Sequence, residues 1–266
     1  MKIGVYPFAS TNNIADNLSK MSSAIDQAAS EHVRLLVFHE CALCGYPPVE
    51  TSIDEIDNAE VESALARISA LAEKHHMFIA VGTVRIEEGK RFNSIVLYDD
   101  GGRCKGHYDK MALWGWDQDN FERGTSPGLF EIDGIKVGFR ICFDVRFPEP
   151  FRALYRQKAD ICFVCFSDTQ AAPSPQRYQT IKAHLITRAM ENVMTVVSVN
   201  SISNCQTAPT AVFDRNGAVK YEMDIGREQL LVYDFEKSEI TFGERGRLVN
   251  NDYFLKLDRQ NERSSM

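Results

Sequence analysis

No segment of the sequence approaches the roughly 20 consecutive apolar residues that a membrane-spanning helix needs. The opening MKIGVYPFAS carries one lysine and an apolar stretch too brief for a secretory leader. Basic runs are also lacking and the formal charge is −7, which speaks against nucleic acid and anionic membrane surfaces as partners. No fixed-period repeat, low-complexity tract or linker is present, so nothing marks a solenoid or a domain boundary. Histidines are few, six in all, and no pair of them completes a zinc ligand set. Seven cysteines are scattered along the chain. An odd, dispersed set excludes a fully paired disulfide framework and fits a reducing compartment. The expectation is a cytoplasmic protein without a metal or other cofactor.

What is present is an ordinary globular composition: 266 residues, 44% hydrophobic and 25% charged. That length supplies a core large enough for one domain, expected over 1–258, with RQNERSSM at 259–266 as a polar tail. Lys2–Tyr6 reads as a strand. Ile14, Leu18, Met21, Ile25 and Ala28 follow at helical spacing, with Asn12 and Asn13 as possible caps. Arg34–His39 reads as a buried strand ending at Glu40, and CALCGYPP as a loop broken by glycine and proline. Val61, Leu65, Ile68 and Leu71 mark a second helix, and Met77–Val84 a strand.

Ser94–Tyr98 and Cys104–Tyr108 flank a DDGG turn and predict a hairpin. Further strands are expected at Ile135–Cys142, Ala159–Phe166, Thr195–Asn200, Thr210–Phe213, Ala218–Tyr221 and Gln229–Phe235. Helices are expected from about Pro150 to Gln157 and over Gln176–Val193. Alternating helices and strands with interspersed hairpins give an α/β or α+β fold of layered sheets and helices.

Three polar residues stand at strand ends: Glu40 after RLLVFH, Lys110 after RCKGHYD, and Cys142 after IKVGFRI. Loops at the C-terminal ends of strands are where active sites gather. A carboxylate, an ammonium and a thiol there suit hydrolysis. Taken singly, each has a structural reading: a small buried hydrophobe for the cysteine, solvated loop residues for the other two. Two Cys-x-x-Cys pairs also stand out. Cys162 and Cys165 fall within one strand, where residues three apart face opposite ways and cannot share an ion. Cys41 and Cys44 lie in a loop, where metal or redox chemistry stays geometrically open. His39 and His107, near Glu40 and Lys110, leave a Cys–His dyad open as well.

The segments VFHECALCGYPP, GHYDKMAL and GFRICFDVRFPEPFRAL resemble the three signature segments of the nitrilase superfamily of carbon–nitrogen hydrolases, in the same order. MKIGVYPF, RFNSIVLYDDGG, RAMENV and TAVFDRNGAV are similar to its opening strand, hairpin, late helix and late hairpin, so the resemblance spans nearly the whole chain. It implies a four-layer α-β-β-α sandwich, pairing of protomers into a homodimer or higher homo-oligomer, and a Glu40–Lys110–Cys142 triad. Asp117, before Gly124, aligns with a second family glutamate that would orient Lys110 or relay protons. His39 replaces a usual proline, and SDTQAA after Phe166 departs from the family's pocket-shaping loop.

The implied chemistry is attack of Cys142 on a small amide, with Glu40 as general base for both half-reactions. Lys110 and the Phe143 backbone N–H would hold the oxyanion. Lys110, and the positive end of a helix started by RFPEP, would stabilise the thiolate. Tyr46, Trp114, Trp116 and Arg146 follow the active segments and are candidates to line the substrate pocket. CFDVRFPE looks like the amidase branches. A nitrilase or N-carbamoyl hydrolase with the same triad, and a catalytically silent binding scaffold, are the competing readings.

Overall fold

The computed structural model describes residues 1–203 and 205–257. The tail expected over 259–266 lies outside the described residues. The chain opens with strand β1 (Lys2–Tyr6) and helix α1 (Ile14–Ser30), whose N-cap Asn13 accepts the Asp16 N–H. Strand β2 (Leu35–Phe38), helix α2 (Asn58–His75), and strands β3 (Phe78–Glu87), β4 (Lys90–Tyr98) and β5 (Cys104–Asp109) follow. After a short helix α3 (Asp117–Asn120) come β6 (Leu129–Ile132), β7 (Ile135–Ile141), a 3₁₀ turn (Cys142–Arg146) and helix α4 (Pro148–Arg156). The rest is β8 (Ile161–Phe166), α5 (Pro175–Asn192), β9 (Thr195–Asn200), β10 (Ala211–Phe213), β11 (Val219–Glu222), β12 (Leu231–Asp234) and α6 (Phe242–Phe254).

The strands form two six-stranded sheets, in the orders β12-β1-β2-β3-β4-β5 and β11-β10-β9-β8-β7-β6. Each has a parallel centre and antiparallel flanks. Leu35, Val37, Ile95 and Leu97 of the first sheet meet Val137, Phe139, Ile161, Phe163 and Val197 of the second in one dry core. The opposite face of the first sheet, through Leu36, Phe38 and Ile79, packs on Met21, Ile25 and Ile68 of α1 and α2. The opposite face of the second packs on Phe151 and Leu154 of α4 and Leu185 of α5. The order is therefore helix, sheet, sheet, helix, the four-layer sandwich expected. Strand alternation also separates Cys162, which faces the helices, from Cys165, which faces the other sheet.

Differences from the sequence reading have physical causes. The β3–β4 hairpin extends through a two-residue turn at Glu88–Gly89, both at positive φ, and its tip from Glu87 to Lys90 is polar and exposed. Helix α6 was not expected because it buries Glu244 rather than an apolar stripe. Its Thr241–Glu244 capping box was the signal available in the sequence. Strand β7 stops at Ile141, so Cys142 opens the 3₁₀ turn instead of ending the strand, and α4 begins at Pro148, two residues before the expected start.

Backbones approach most closely beside the strand ends. A Cβ placed on Gly82 of β3 would sit 1.9 Å from the carbonyl oxygen of His39, the residue before Glu40. The glycine is what lets β3 lie against the turn that carries Glu40. We expect Gly82→Ala to lower unfolding free energy by about 1–3 kcal/mol or more. Gly246→Ala, in α6 with no neighbouring atom within 4 Å, should be neutral or stabilising by up to about 1 kcal/mol. Denaturant unfolding of the two variants checks the contrast, and equal effects would contradict it.

Candidate active site

Glu40 leaves β2, Lys110 leaves β5 and Cys142 leaves β7, so the two sheets deliver all three residues to the same end of the sandwich. Lys110 Nζ donates to Glu40 Oε1 at 2.8 Å and to Asp117 Oδ2 at 2.7 Å, and all three side chains are fully buried. Asp117 reaches the ammonium despite its short side chain because α3 carries it towards Lys110. Tyr46 Oη donates to Asp117 Oδ1 at 2.7 Å, and its ring lies beneath the ammonium, 5.7 Å from Nζ to the centroid. The Trp114 indole N–H donates in turn to Tyr46 Oη. Tyr46 and Trp114 thus join the cluster. Trp116 does not; it packs edge-on against Phe121.

Glu40 is held by more than the lysine. Asn93 of β4 donates to Oε1 at 2.7 Å, and the Ser167 backbone N–H donates to Oε2 at 2.8 Å. Burial nevertheless raises the Glu40 pKa above its ordinary value. Lys110 pulls it down while the Asp117 charge pushes it up again. For Lys110 burial acts downward, but Glu40, Cys142 and Asp117 outweigh it, so the ammonium is held well above the usual range and stays cationic. With three N–H groups and two of them on carboxylates, Lys110 retains one donor.

Cys142 has φ of +41°, a left-handed conformation unusual for a residue with a side chain. The buried carboxylate of Asp144 fixes that bend. It accepts from the Ile141 N–H at 2.8 Å, Tyr108 Oη at 2.7 Å and the Ala112 N–H at 2.7 Å, tying the cysteine turn to the lysine loop. Phe143, second in the 3₁₀ turn, contributes one of the N–H groups that a helix start leaves without an internal partner. The expectation of a thiolate held by Lys110 is not met. Burial and the Glu40 charge raise the thiol pKa well above its ordinary value and outweigh Lys110.

Neither histidine forms a dyad with Cys142. His39 is buried against Phe8, with Nδ1 3.0 Å from the Glu40 carbonyl oxygen, and burial pushes it down to about 4. His107 sits 3.5 Å from Asp109. Arg146 closes the 3₁₀ turn half-buried, its guanidinium bonded to no described residue, and its charge is felt by His184 of α5. Cys41 and Cys44 are buried, with the Cys44 sulfur accepting the Val84 N–H. Among the described residues no three His, Cys, Asp or Glu side chains group as a metal ligand set. Sequence reasoning passed over Asn93, Asp144 and Ser167.

A family model described as carbon-nitrogen hydrolase matches residues 2–242. The chain belongs to the carbon–nitrogen hydrolase family. It is an enzyme family, and this member is 29% identical to the 2-oxoglutaramate amidase of Bacillus subtilis over 189 residues, 70% of each chain. It is 27% identical to an (R)-stereoselective amidase of a Pseudomonas species, over 76% of this chain and 71% of that one. The solved amidase of Nesterenkonia sp. AN1 shares the hydrolase fold with a TM-score of 0.81 at 21% identity, covering 96% of this chain and 98% of its own.

The raised carboxyl of Glu40 sets a pH dependence. Catalysis that needs Glu40 ionised is lost as pH falls through its folded pKa, so the acid limb of kcat/KM should lie above about 4.3, the free carboxylate value. Asn93→Ala removes a donor that favours the ionised form and should move that limb upward. A second half-buried carboxyl, Glu50, is pushed up to about 7 by burial and by Glu40. A limb that Asn93→Ala leaves in place would therefore belong to Glu50 and not to Glu40.

Proposed function

We propose that the protein hydrolyses the C–N bond of small linear amides, through a Cys142 thioester, to a carboxylate and ammonia. The reading rests on one observation: a fully buried Lys110 gripped by two carboxylates, with one N–H to spare, within electrostatic reach of the thiol. In this reading Cys142 Sγ attacks the amide carbon while Glu40 takes the thiol proton. The new oxyanion is held by the third N–H of Lys110 and by the Phe143 N–H. Glu40 returns the proton to nitrogen, the C–N bond breaks and ammonia leaves. Water then loses a proton to Glu40 and attacks the thioester, the C–S bond breaks, and the thiol is restored.

Asp117 anchors Lys110 and keeps Glu40 basic enough for both transfers. Tyr46, Trp114 and Arg146 are the candidates to line the substrate pocket. The chain acts as one catalytic domain over 1–258, and its seven free thiols suit the cytoplasm. Protomers pair as a homodimer or larger assembly. Support comes from α6, which exposes Phe242 at 94%, Tyr253 at 75% and Phe254 at 71%. Sedimentation of the parent and of Phe254→Glu tests this, a monomeric parent being the contrary result.

Amides should be turned over faster than nitriles of the same skeleton, because the amide's leaving nitrogen needs the proton Glu40 holds. Matched kcat/KM values check this, and nitriles equal to amides would contradict the amidase reading while sparing the triad. Lys110→Met should lose about 10²–10³ in turnover, the effect of removing one oxyanion donor. A variant keeping more than about a tenth of parental turnover would make Lys110 a structural neighbour only.

A further inference from the structure

The loop after β8 reads Ser167-Asp168, and its first residue already touches the site through the Ser167 N–H on Glu40. Asp168 is itself almost wholly buried. Its N–H donates to Asn200 Oδ1 at 2.9 Å, and its carbonyl accepts Asn200 Nδ2 at 3.0 Å and the Thr207 N–H at 2.9 Å. Its carboxylate accepts Thr207 Oγ1 at 2.5 Å and a bidentate fork from Arg177, Nε and Nη2 each at 3.0 Å. The backbone and side chain of Asp168 are therefore locked from three directions.

Arg177, in the first turn of α5, is the opposite case. Its side chain is 39% exposed where that of Asp168 is 5%. The fork leaves Nη1 with no hydrogen-bond partner among the described residues. Both groups lie within electrostatic reach of Cys142. A carboxylate buried beside a nucleophilic thiol works against that thiol. Its placement makes sense as the fixture for a cation. The open guanidinium edge is then preorganised, since the rotamer freedom an arginine normally loses on binding is already gone. A planar N–H edge of fixed position beside an acyl-transfer centre suits an anionic oxygen.

We propose that Arg177, positioned by Asp168, binds a carboxylate on the acyl part of the substrate, so that the preferred substrates are monoamides of dicarboxylic acids. This deepens the amidase reading and rests on it. Acid recognition is assigned to Arg177, whose guanidinium Asp168 holds in place, and not to Arg146, which has no such anchor among the described residues. Asp168 is a positioning residue, acting through Arg177.

Two measurements test it. The first is the ratio of kcat/KM for succinamic acid over that for butyramide. Arg177→Gln should lower this ratio about 10- to 100-fold, the range for losing a charge-assisted hydrogen bond, mainly through KM for the acid. Asp168→Asn should lower it in the same direction, and Arg177→Lys should restore only part of it. The second needs no turnover: the rates at which iodoacetate and iodoacetamide alkylate Cys142, read by peptide mass. The anionic reagent should lose about tenfold relative to the neutral one in Arg177→Gln. Equal losses on acid and neutral probes, or unchanged ratios, would overturn the proposal. A parent that hydrolyses no amide yet shows the alkylation contrast would overturn the amidase reading and leave the anion site standing.

Discussion

The site depends on an ammonium buried between two carboxylates. Lys110, Glu40 and Asp117 are wholly withdrawn from water, where an uncompensated charge would cost several kcal/mol. Removing any one of them strands the others, so the cluster is either complete or unstable. Its excess of one negative charge, together with burial, gives Glu40 a raised pKa and keeps Lys110 cationic. A stronger base and a spare N–H donor are what acyl transfer to a thiol calls for.

The surrounding fold serves to hold that cluster against the thiol. Parallel strands in both sheets bring their C-terminal ends to one edge. Gly82 lets the Glu40 turn settle on β3, and Asp144 bends Cys142 into a left-handed conformation while reaching Ala112 in the lysine loop. The thiol is not activated in advance. Burial and the Glu40 charge raise its pKa, and in the proposed mechanism Glu40 takes the proton at the moment of attack.

Much of this was legible in the sequence where one physical requirement dominated. The buried runs LLVF and ICFVCF and the period of α1 could read only one way, and the cap was narrowed to Asn12 or Asn13, of which Asn13 caps the helix. The strand-end placement of Glu40, Lys110 and Cys142 was visible for the same reason. Features set by partners distant in sequence were not. Asn93 is an ordinary polar strand residue until Glu40, 53 residues earlier, lies across from it. The Asp168–Arg177 fork requires the turn between β8 and α5 to close. The thiolate expectation failed because spacing reports which charges are near but not how far water is excluded. Exclusion of water, more than Lys110, sets the Cys142 pKa.

In the proposed mechanism Cys142 carries the acyl group during amide hydrolysis. Intact-mass and peptide mapping of the enzyme, acid-quenched during turnover of an activated short-chain amide, tests it most directly. One acyl mass is expected on the Cys142 peptide, sensitive to hydroxylamine and absent from Cys142→Ala, which should fold but not turn over. Undiminished hydrolysis by Cys142→Ala, or an acyl group on Cys41 or Cys44 instead, would contradict it.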